Sequence, residues 1–348
     1  HMLYKGTKNR TSRQISEEIE KNGGILNGFT EEELTAYWCK MPSKKINIAL
    51  EVLSDMVKNP LFDEFEINKE RQVIFEEMKM RRDTPHTYIY DKIQSLLYEG
   101  NLALDSIGTE QSLNSIDKEK LLRKFNRIYG SENMILCVVG DTNFKKLCKF
   151  CERNFKKSGF KIPEPFVGLR YEERVEKRKG IDQANFIFAY HSSQAQDSKA
   201  YAAQVLSCLM GGGMSSRLWQ EIREKRNLAY AVKSGYSTGK RFGYTAVYAG
   251  TSPGNLKKVR ELIIEEFKKI ETLNERELNQ VKEQLIGNSK ISKEDSQGQM
   301  LDLLYNEVWG DAGNSYKYES RIKKVNLKDV KKLANLDGYS SFALIPER

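Results

Sequence analysis

Residues 66–82 read EINKERQVIFEEMKMRR, and they predict a long helix because they include no glycine or proline and many strong helix formers. At 100° per residue, one apolar stripe of this helix consists of Ile67, Val73, Ile74 and Met78. Glu70 and Glu77 fall on nearly one line inside that stripe. Because a buried carboxylate without a partner is costly, the pair predicts a nearby cation, a metal ion or a hydrogen-bond network. The alternative is a groove edge, where both carboxylates reach water or pair with lysine and arginine.

The composition is that of a globular protein with an ample apolar core. The chain has 348 residues, 39% hydrophobic and 30% charged, and this length favours two domains. No apolar run approaches about 18 residues, so we expect no membrane span and no membrane partner. The first residues, HMLYKGTKNR, lack the apolar region of a secretory signal peptide.

Charge and cysteine content narrow the function classes. The net charge is +9, but lysine and arginine are interleaved with acidic residues along the chain. This favours solvated helix faces, so we expect no nucleic-acid partner, and a basic nucleic-acid binder is the weakest hypothesis. Five cysteines, an odd number, indicate a reducing compartment and a cytoplasmic protein. Cys148 and Cys151 lie in an amphipathic helical pattern, which favours half-buried thiols over a zinc or redox pair.

The predicted order of elements occurs twice. Residues 12–57 and 216–267 each predict a helix, two strands and a helix, and each half ends in a short apolar strand, at 134–139 and 341–345. We therefore predict a duplicated α+β unit, with domains at 1–160 and 176–348 and a proline-containing linker at 161–175. His86 and His191 are predicted to be loop residues at the ends of elements.

Three motifs together resemble the insulinase/pitrilysin family of zinc metallopeptidases, most closely its mitochondrial-processing-peptidase-like branch. Residues 1–7, HMLYKGT, match the end of the His-x-x-Glu-His zinc motif and the run that follows it. Residues 70–77, ERQVIFEE, match the Glu-Arg-x-Val-x-x-x-Glu helix, and Glu77 lies 77 − 1 = 76 positions after His1. Residues 211–218 and 223–230, GGGMSSRL and REKRNLAY, match the second domain's signature, so the resemblance covers essentially the whole chain.

The resemblance implies a zinc site and two substrate-binding features. His1 and Glu77 match zinc ligands, and Glu70, two helical turns before Glu77, is expected to orient a ligand or the catalytic base. Arg223 and Tyr230 match the pair that approaches the substrate carbonyl, with a surface ion pair as the plain alternative for Arg223. Residues 27–30 (Asn27, Gly28, Phe29 and Thr30) match the family's edge strand, which pairs with an extended substrate peptide. The alternative is that these residues form an ordinary edge strand with no role in binding.

The implied fold is α+β, with two homologous domains that face each other across a cavity. Each domain is expected to be a mostly antiparallel sheet with helices packed on one face. Two-domain members of the family imply a homodimer or heterodimer, in which Arg223 and Tyr230 act on a peptide held by the partner chain.

The sequence departs from the family pattern at one point, because the first zinc histidine and the general-base glutamate would precede His1. Three explanations are open: a gene start placed at the internal Met2 with His1 as a cloning remnant, processing of a longer precursor, or a natural truncation. We expect a zinc endopeptidase whose activity is poor in these 348 residues. The alternative is a non-catalytic peptide-binding or partner subunit of a two-chain peptidase.

Overall fold

The computed structural model describes residues 1–157 and 165–347. The α-helices of this part of the chain are α1 (Ser12–Glu20), α2 (Ile46–Lys58), α3 (Glu64–Asp83), α4 (Pro85–Leu97), α5 (Glu110–Asn114), α6 (Lys118–Ile128), α7 (Phe144–Asn154), α8 (Ala200–Gly211), α9 (Leu256–Lys268), α10 (Glu275–Ser292), α11 (Ser296–Trp309), α12 (Asn314–Lys324) and α13 (Leu327–Leu333). The strands are β1 (Ile25–Thr30), β2 (Thr35–Lys40), β3 (Tyr98–Gly100), β4 (Val167–Leu169), β5 (Glu173–Arg178), β6 (Ala184–His191), β7 (Ala229–Thr238), β8 (Gly243–Thr251) and β9 (Ser340–Pro346).

The described residues group into two compact units. Unit 1 comprises residues 1–80, 106–157 and 296–304, and unit 2 comprises residues 81–105, 165–295 and 305–347. Each unit therefore takes in one segment from the other end of the sequence. The predicted domain bounds, 1–160 and 176–348, remain a prediction.

Unit 1 begins with local signals that the sequence makes visible. Thr11 caps α1, because its side chain accepts from the Gln14 N–H while the Gln14 side chain accepts from the Thr11 N–H. The antiparallel hairpin of β1 and β2 follows, with Gly28 opposite Tyr37. Helices α1 and α2 contact each other, and their buried Ile19 and Met56 share one apolar cluster with Leu26 of β1. The predicted helix and hairpin in this region are confirmed.

Unit 2 is built on a five-stranded sheet in the order β5-β9-β6-β8-β7. Its pairings are antiparallel except for the parallel pair of β5 and β9. Apolar side chains from α8 and α9 cover one face, and Ile89 and Ile93 of α4 lie in the cluster that covers the other face. Because both faces are covered, β8 is buried along its whole length. These elements confirm the predicted α+β class.

Residues 134–139 form no strand, so that prediction is wrong. A strand needs a hydrogen-bonded neighbour, and no described segment pairs with these residues. Ile135 and Leu136 are exposed despite their apolar side chains. The apolar run at 134–139 suggested a strand, but it carries no information on whether a neighbouring strand is available to pair with it.

Three further expectations differ from the structure. The α-helix predicted at 216–226 is instead a π-helix at Trp219–Glu224, and α12 was not predicted. His86 lies inside α4 rather than in a loop, because Pro85 begins that helix instead of ending the preceding one. Within the predicted linker, 161–164 lie outside the described residues, while Val167–Leu169 pairs with β3 and Glu173–Arg178 pairs with β9.

Two sequence-based expectations concern the chain as a whole. No helix in residues 1–157 or 165–347 is long and apolar enough to cross a membrane. All five cysteines carry free thiols, and each is buried or half-buried. The expected half-buried state of Cys148 and Cys151 is confirmed.

Candidate active site

His1, Lys5 and Glu70 form a contact cluster in unit 1. Glu70 lies on α3 and is only 5% exposed. Its Oε2 lies 3.0 Å from His1 Nδ1, and its Oε1 lies 2.5 Å from Lys5 Nζ. Although burial opposes ionisation, hydrogen bonds from Lys5 and His1 hold the pKa of Glu70 below its usual value. Helical periodicity predicted that Glu70 is buried and needs a cation or a hydrogen-bond network, and Lys5 and His1 provide both.

The second glutamate of α3 lies at the opposite edge of the His1 ring. Glu77 Oε2 is 3.7 Å from His1 Nε2, and both side chains are partly exposed. In a tetrahedral zinc site with bonds of roughly 2.0–2.2 Å, two donors lie roughly 3.3–3.5 Å apart. The separation of His1 and Glu77 is therefore within a few tenths of an ångström of one edge of such a site.

The described residues supply two such donors and not the three that a catalytic zinc normally takes. No group of three or more His, Cys, Asp or Glu side chains in residues 1–157 and 165–347 is placed to hold a metal ion. Glu70 does not fill the gap, because His1 and Lys5 engage both of its oxygens. His1 and Glu77 fit zinc in the chemistry and spacing of their donor atoms. A third protein donor is lacking among the described residues.

The apolar stripe predicted for α3 is buried along only part of its length. Ile67 and Glu70 are its buried residues, whereas Val73 is 41% exposed and Glu77 is only partly covered. Helical periodicity placed these side chains on one face, but the neighbouring elements cover only the first half of that face. The prediction that Val73 is buried is therefore wrong.

Residues 27–30 lie on β1, which pairs only with β2 among the described residues. The Glu31 N–H donates to Leu34 O, and antiparallel alternation then turns the N–H groups of Gly28 and Thr30 toward the other edge of β1. The Asn27 Oδ1 accepts from the Gly28 N–H at 2.8 Å. One outward-facing donor of this edge is therefore already occupied by the neighbouring side chain.

Tyrosine side chains line the inner side of this hairpin. The Tyr4 hydroxyl lies so close to Gly28 that a Cβ at position 28 would collide with it. The Tyr37 and Tyr129 hydroxyls are 2.8 Å apart, and burial together with the nearby Tyr129 raises the pKa of Tyr4 to about 12. A largely apolar cavity of about 290 Å³ lies here, with His1 and Glu70 among its lining residues.

Arg223 and Tyr230 belong to unit 2. Arg223 lies in the π-helix, and its guanidinium is 4.1 Å from the centre of the Trp219 ring. Tyr230 is the extra residue of a β-bulge in β7, and its side chain is exposed. Its hydroxyl lies 3.3 Å from that of Tyr248, which donates to Asn185 Oδ1 at 2.9 Å.

The structure adds residues that the sequence prediction did not select. Lys5 stands within the HMLYKGT run, but only the fold shows that its ammonium reaches Glu70. Tyr248 and Asn185 come from different strands, β8 and β6, so no local sequence pattern joins them to Tyr230. The motif at residues 223–230 pointed to Tyr230 alone and carried no signal for the other two residues.

Two family models match the chain. One describes insulinase, peptidase family M16, and matches residues 1–110, while the other describes the peptidase M16 inactive domain and matches residues 115–285. An uncharacterized zinc protease of Bacillus subtilis, YmxG, is 31% identical over 99% of this chain and 85% of its own length. This chain belongs to the M16 peptidase family.

One further relative is similar in sequence, and two solved structures are similar in fold. An uncharacterized zinc protease of Rickettsia felis is 35% identical over 84% of this chain and 72% of its own length. The crystal structure of a protease from Helicobacter pylori superposes with a TM-score of 0.92 at 21% identity, covering 99% of this chain and 88% of that one. An M16 inactive-domain structure from Pseudomonas fluorescens gives a TM-score of 0.87 at 18% identity, covering 100% of this chain and 87% of that one.

M16 membership confirms the predicted resemblance and the duplicated fold. The relatives named as zinc proteases establish a metallopeptidase family with zinc as its cofactor. His1, Glu70 and Glu77 lie in the part matched by the insulinase model, whereas Arg223 and Tyr230 lie in the part matched by the inactive-domain model. The individual roles of these residues stay predictions.

Proposed function

We propose that this chain is a zinc-dependent endopeptidase of the processing-peptidase type, which acts on extended or unfolded peptides. One observation carries the proposal: His1 Nε2 and Glu77 Oε2 face each other at 3.7 Å while Glu70 holds the opposite nitrogen of the same ring. This is the arrangement of a histidine whose second nitrogen is fixed by a carboxylate while the first binds a metal.

Zinc, when bound, supplies a Lewis acid for the peptide carbonyl and for water. The chain's own residues hold and orient the participants. Glu70 accepts a hydrogen bond from the Nδ1–H of His1 and so leaves the lone pair on Nε2. The outer edge of β1 presents backbone groups at Gly28 and Thr30 to which an extended peptide can pair, and such pairing favours substrates without their own structure.

Arg223 and Tyr230 are proposed to stabilise negative charge on the substrate carbonyl oxygen. A guanidinium and a phenol hydroxyl both donate hydrogen bonds to a developing oxyanion. The exposed position of Tyr230 at a β-bulge supports this role. We propose a homodimer or heterodimer in which these two residues serve a peptide bound to the partner chain, and molar mass measured by light scattering tests that assembly.

The second candidate function is a non-catalytic peptide-binding or partner subunit. The observation that favours it is the count of two protein zinc donors among the described residues. On either function, we expect these 348 residues alone to cleave peptides poorly. Rapid, chelator-sensitive cleavage of an unfolded peptide by this chain would contradict that expectation.

The deciding experiment compares Glu77→Gln with Glu76→Gln. Glu77 is a proposed ligand, whereas its neighbour Glu76 is exposed and paired with Lys79 at 2.8 Å. We expect Glu77→Gln to weaken zinc binding by more than about 100-fold, beyond the effect of outer-shell changes, and Glu76→Gln to leave it unchanged. Equal zinc affinity in both variants would overturn the metal assignment. Slow cleavage that Glu77→Gln abolishes and Glu76→Gln retains supports the endopeptidase function, whereas no detectable cleavage by a zinc-binding parent supports the partner-subunit function.

A further inference from the structure

Lys5 contacts Glu70 beside the candidate metal site and has no part in the function proposed above. Its Nζ lies 2.5 Å from Glu70 Oε1, on the side of the carboxylate opposite His1. The Lys5 side chain is three-quarters covered, and that of Glu70 is almost fully covered. An ion pair this sheltered is less screened by solvent than a surface pair.

The backbone joins Lys5 to His1. Residues Met2–Tyr4 form a 3₁₀ turn, in which the Tyr4 N–H donates to His1 O and the Lys5 N–H donates to Met2 O, both at 3.1 Å. Gly6 follows at φ +112°, a conformation that side-chain-bearing residues rarely adopt. His1 and Lys5 therefore leave a single tight turn, and both side chains end on the same carboxylate.

This arrangement assigns one partner to each oxygen of Glu70. A carboxylate can only accept hydrogen bonds, so His1 Nδ1 must donate its proton to Oε2. In the neutral imidazole the lone pair then lies on Nε2, the nitrogen that faces Glu77. Without Lys5, Oε1 would be buried without a charged partner, and the carboxylate would turn or draw in water to satisfy it.

We propose that Lys5 is a positioning residue for the metal site: by anchoring Oε1 of Glu70, it holds Oε2 against His1 Nδ1 and directs His1 Nε2 toward the metal position. The proposal rests on the function proposed above in so far as His1 binds zinc. It adds a lysine to the histidine and carboxylate of the metal site, with the lysine acting through the carboxylate.

The test compares Lys5→Met, Lys5→Arg and Lys8→Met in the full chain. Methionine keeps an unbranched side chain and removes the charge, arginine keeps the charge, and Lys8 is an exposed lysine three residues away. Zinc affinity is measured by competition with a chromophoric chelator. We expect Lys5→Met to bind zinc about 10- to 100-fold more weakly, the range for outer-shell partners, and the other two variants to stay within a few-fold of the parent.

The second readout is the tautomer of His1 in the metal-free protein. The chain has three histidines, so ¹⁵N imidazole spectra can be assigned with a His1→Gln variant. At about pH 8 we expect the neutral His1 ring of the parent to carry its proton on Nδ1 and that of Lys5→Met to show a mixture of the two tautomers. This measurement needs neither zinc nor activity.

The two readouts separate the two proposals. If the parent binds no zinc, the metal assignment fails, and the tautomer of His1 alone decides the role of Lys5. An unchanged tautomer in folded Lys5→Met overturns the positioning role, and so does unchanged zinc affinity in a zinc-binding parent. If Lys5→Met does not fold, Lys5→Gln replaces it, and a Lys5→Gln spectrum identical to that of Lys5→Arg overturns the proposal.

Discussion

Asp55 shows at the scale of one residue how unit 1 satisfies a buried charge. It lies on α2, is 5% exposed, and accepts hydrogen bonds from the side chains of Thr7, Asn9, Arg10 and Asn59. Burial opposes its ionisation, but these bonds together hold the pKa of Asp55 below its usual value. Asp55 thus ties the segment before α1 to α2.

We expect Asp55→Asn to lower the free energy of unfolding by about 3 kcal/mol at neutral pH, because Arg10 loses its buried partner. The stabilisation from a depressed carboxyl pKa is present above about pH 4 and is lost as the pH falls through the folded-state pKa. The parent should therefore lose more stability than the variant on going from pH 7 to pH 3. Urea midpoints at both pH values test this, with the exposed Glu51→Gln as control. A parent and variant with the same acid sensitivity would contradict it.

His86 is expected to make unit 2 sensitive to mild acid. Its ring contacts those of Tyr90 and Tyr248, and burial together with the charge of Lys233 holds its pKa below the usual value. The unfolded chain therefore binds a proton first, so stability is full above about pH 6.5 and falls as the pH drops through the folded-state pKa. His86→Phe keeps a ring without titration and should flatten the loss of thermal stability between pH 7 and pH 5. If thermal stability falls as steeply with pH in His86→Phe as in the parent, His86 is not the cause of the acid sensitivity.

Residue-scale prediction from sequence succeeded where the cause is local. The burial of Glu70 follows from helical periodicity, which needs only neighbouring residues. Its partner Lys5 lies 65 positions earlier in the chain, and no period connects the two. The exposure of Val73 likewise depends on which elements pack against α3. The sequence of α3 alone does not specify those elements.

At the scale of single elements, β1 has one edge that no described strand pairs with, and one of its own side chains occupies a backbone donor on that edge. The Asn27 side chain accepts the Gly28 N–H that would otherwise be offered to a paired peptide. A peptide that pairs with this edge must therefore displace the Asn27 amide. If β1 binds substrate as proposed, the Asn27 side chain competes with the peptide for the Gly28 N–H.

We expect Asn27→Ala to bind an extended peptide about three- to tenfold more tightly, because the net free energy of one hydrogen bond is about 0.5–1.5 kcal/mol. Asn27→Asp retains an acceptor and should show no gain. Fluorescence anisotropy of a labelled, unfolded peptide in the presence of a chelator measures the affinity without cleavage. Weaker binding by Asn27→Ala would instead assign its side chain a direct substrate contact.

Elements with local end signals were predicted well. Helix α1 has its cap at Thr11, and α3 contains the whole helix predicted for residues 66–82. The π-helix at Trp219–Glu224 differs from an α-helix by one residue in the spacing of its hydrogen bonds, and amino-acid composition does not distinguish the two. The missing strand at 134–139 depends on a partner, and pairing is a property of the sheet rather than of the segment.

At the scale of the whole molecule, unit membership does not follow the order of the sequence. Residues 81–105 group with unit 2, and residues 296–304 group with unit 1. The duplication was visible from the repeated order of helices and strands, because each repeat is encoded locally. The exchange of segments was not visible, because helix α4 carries the same kind of apolar stripe whichever sheet it covers.

Metal removal should leave the fold of the whole molecule intact. The apolar clusters of both units consist of packed side chains, and the candidate zinc donors His1 and Glu77 are partly exposed. We expect a chelator to change Tm by less than about 2 °C, which for a chain of this size corresponds to less than about 1.5 kcal/mol. Differential scanning fluorimetry with chelator and with re-added zinc provides the measurement. A fall of more than about 5 °C that zinc reverses would show a structural metal instead.

The pairing of Arg223 with Trp219 gives the molecule a built-in optical signal. The guanidinium lies over the indole ring, and the indole Nε1–H donates to Glu224 Oε1 at 3.1 Å. Indole emission responds to nearby charge and hydrogen bonding, so any peptide or partner that draws Arg223 away should shift it. The chain has three tryptophans, and replacing Trp38 and Trp309 by phenylalanine would leave Trp219 as a label-free sensor of what Arg223 touches.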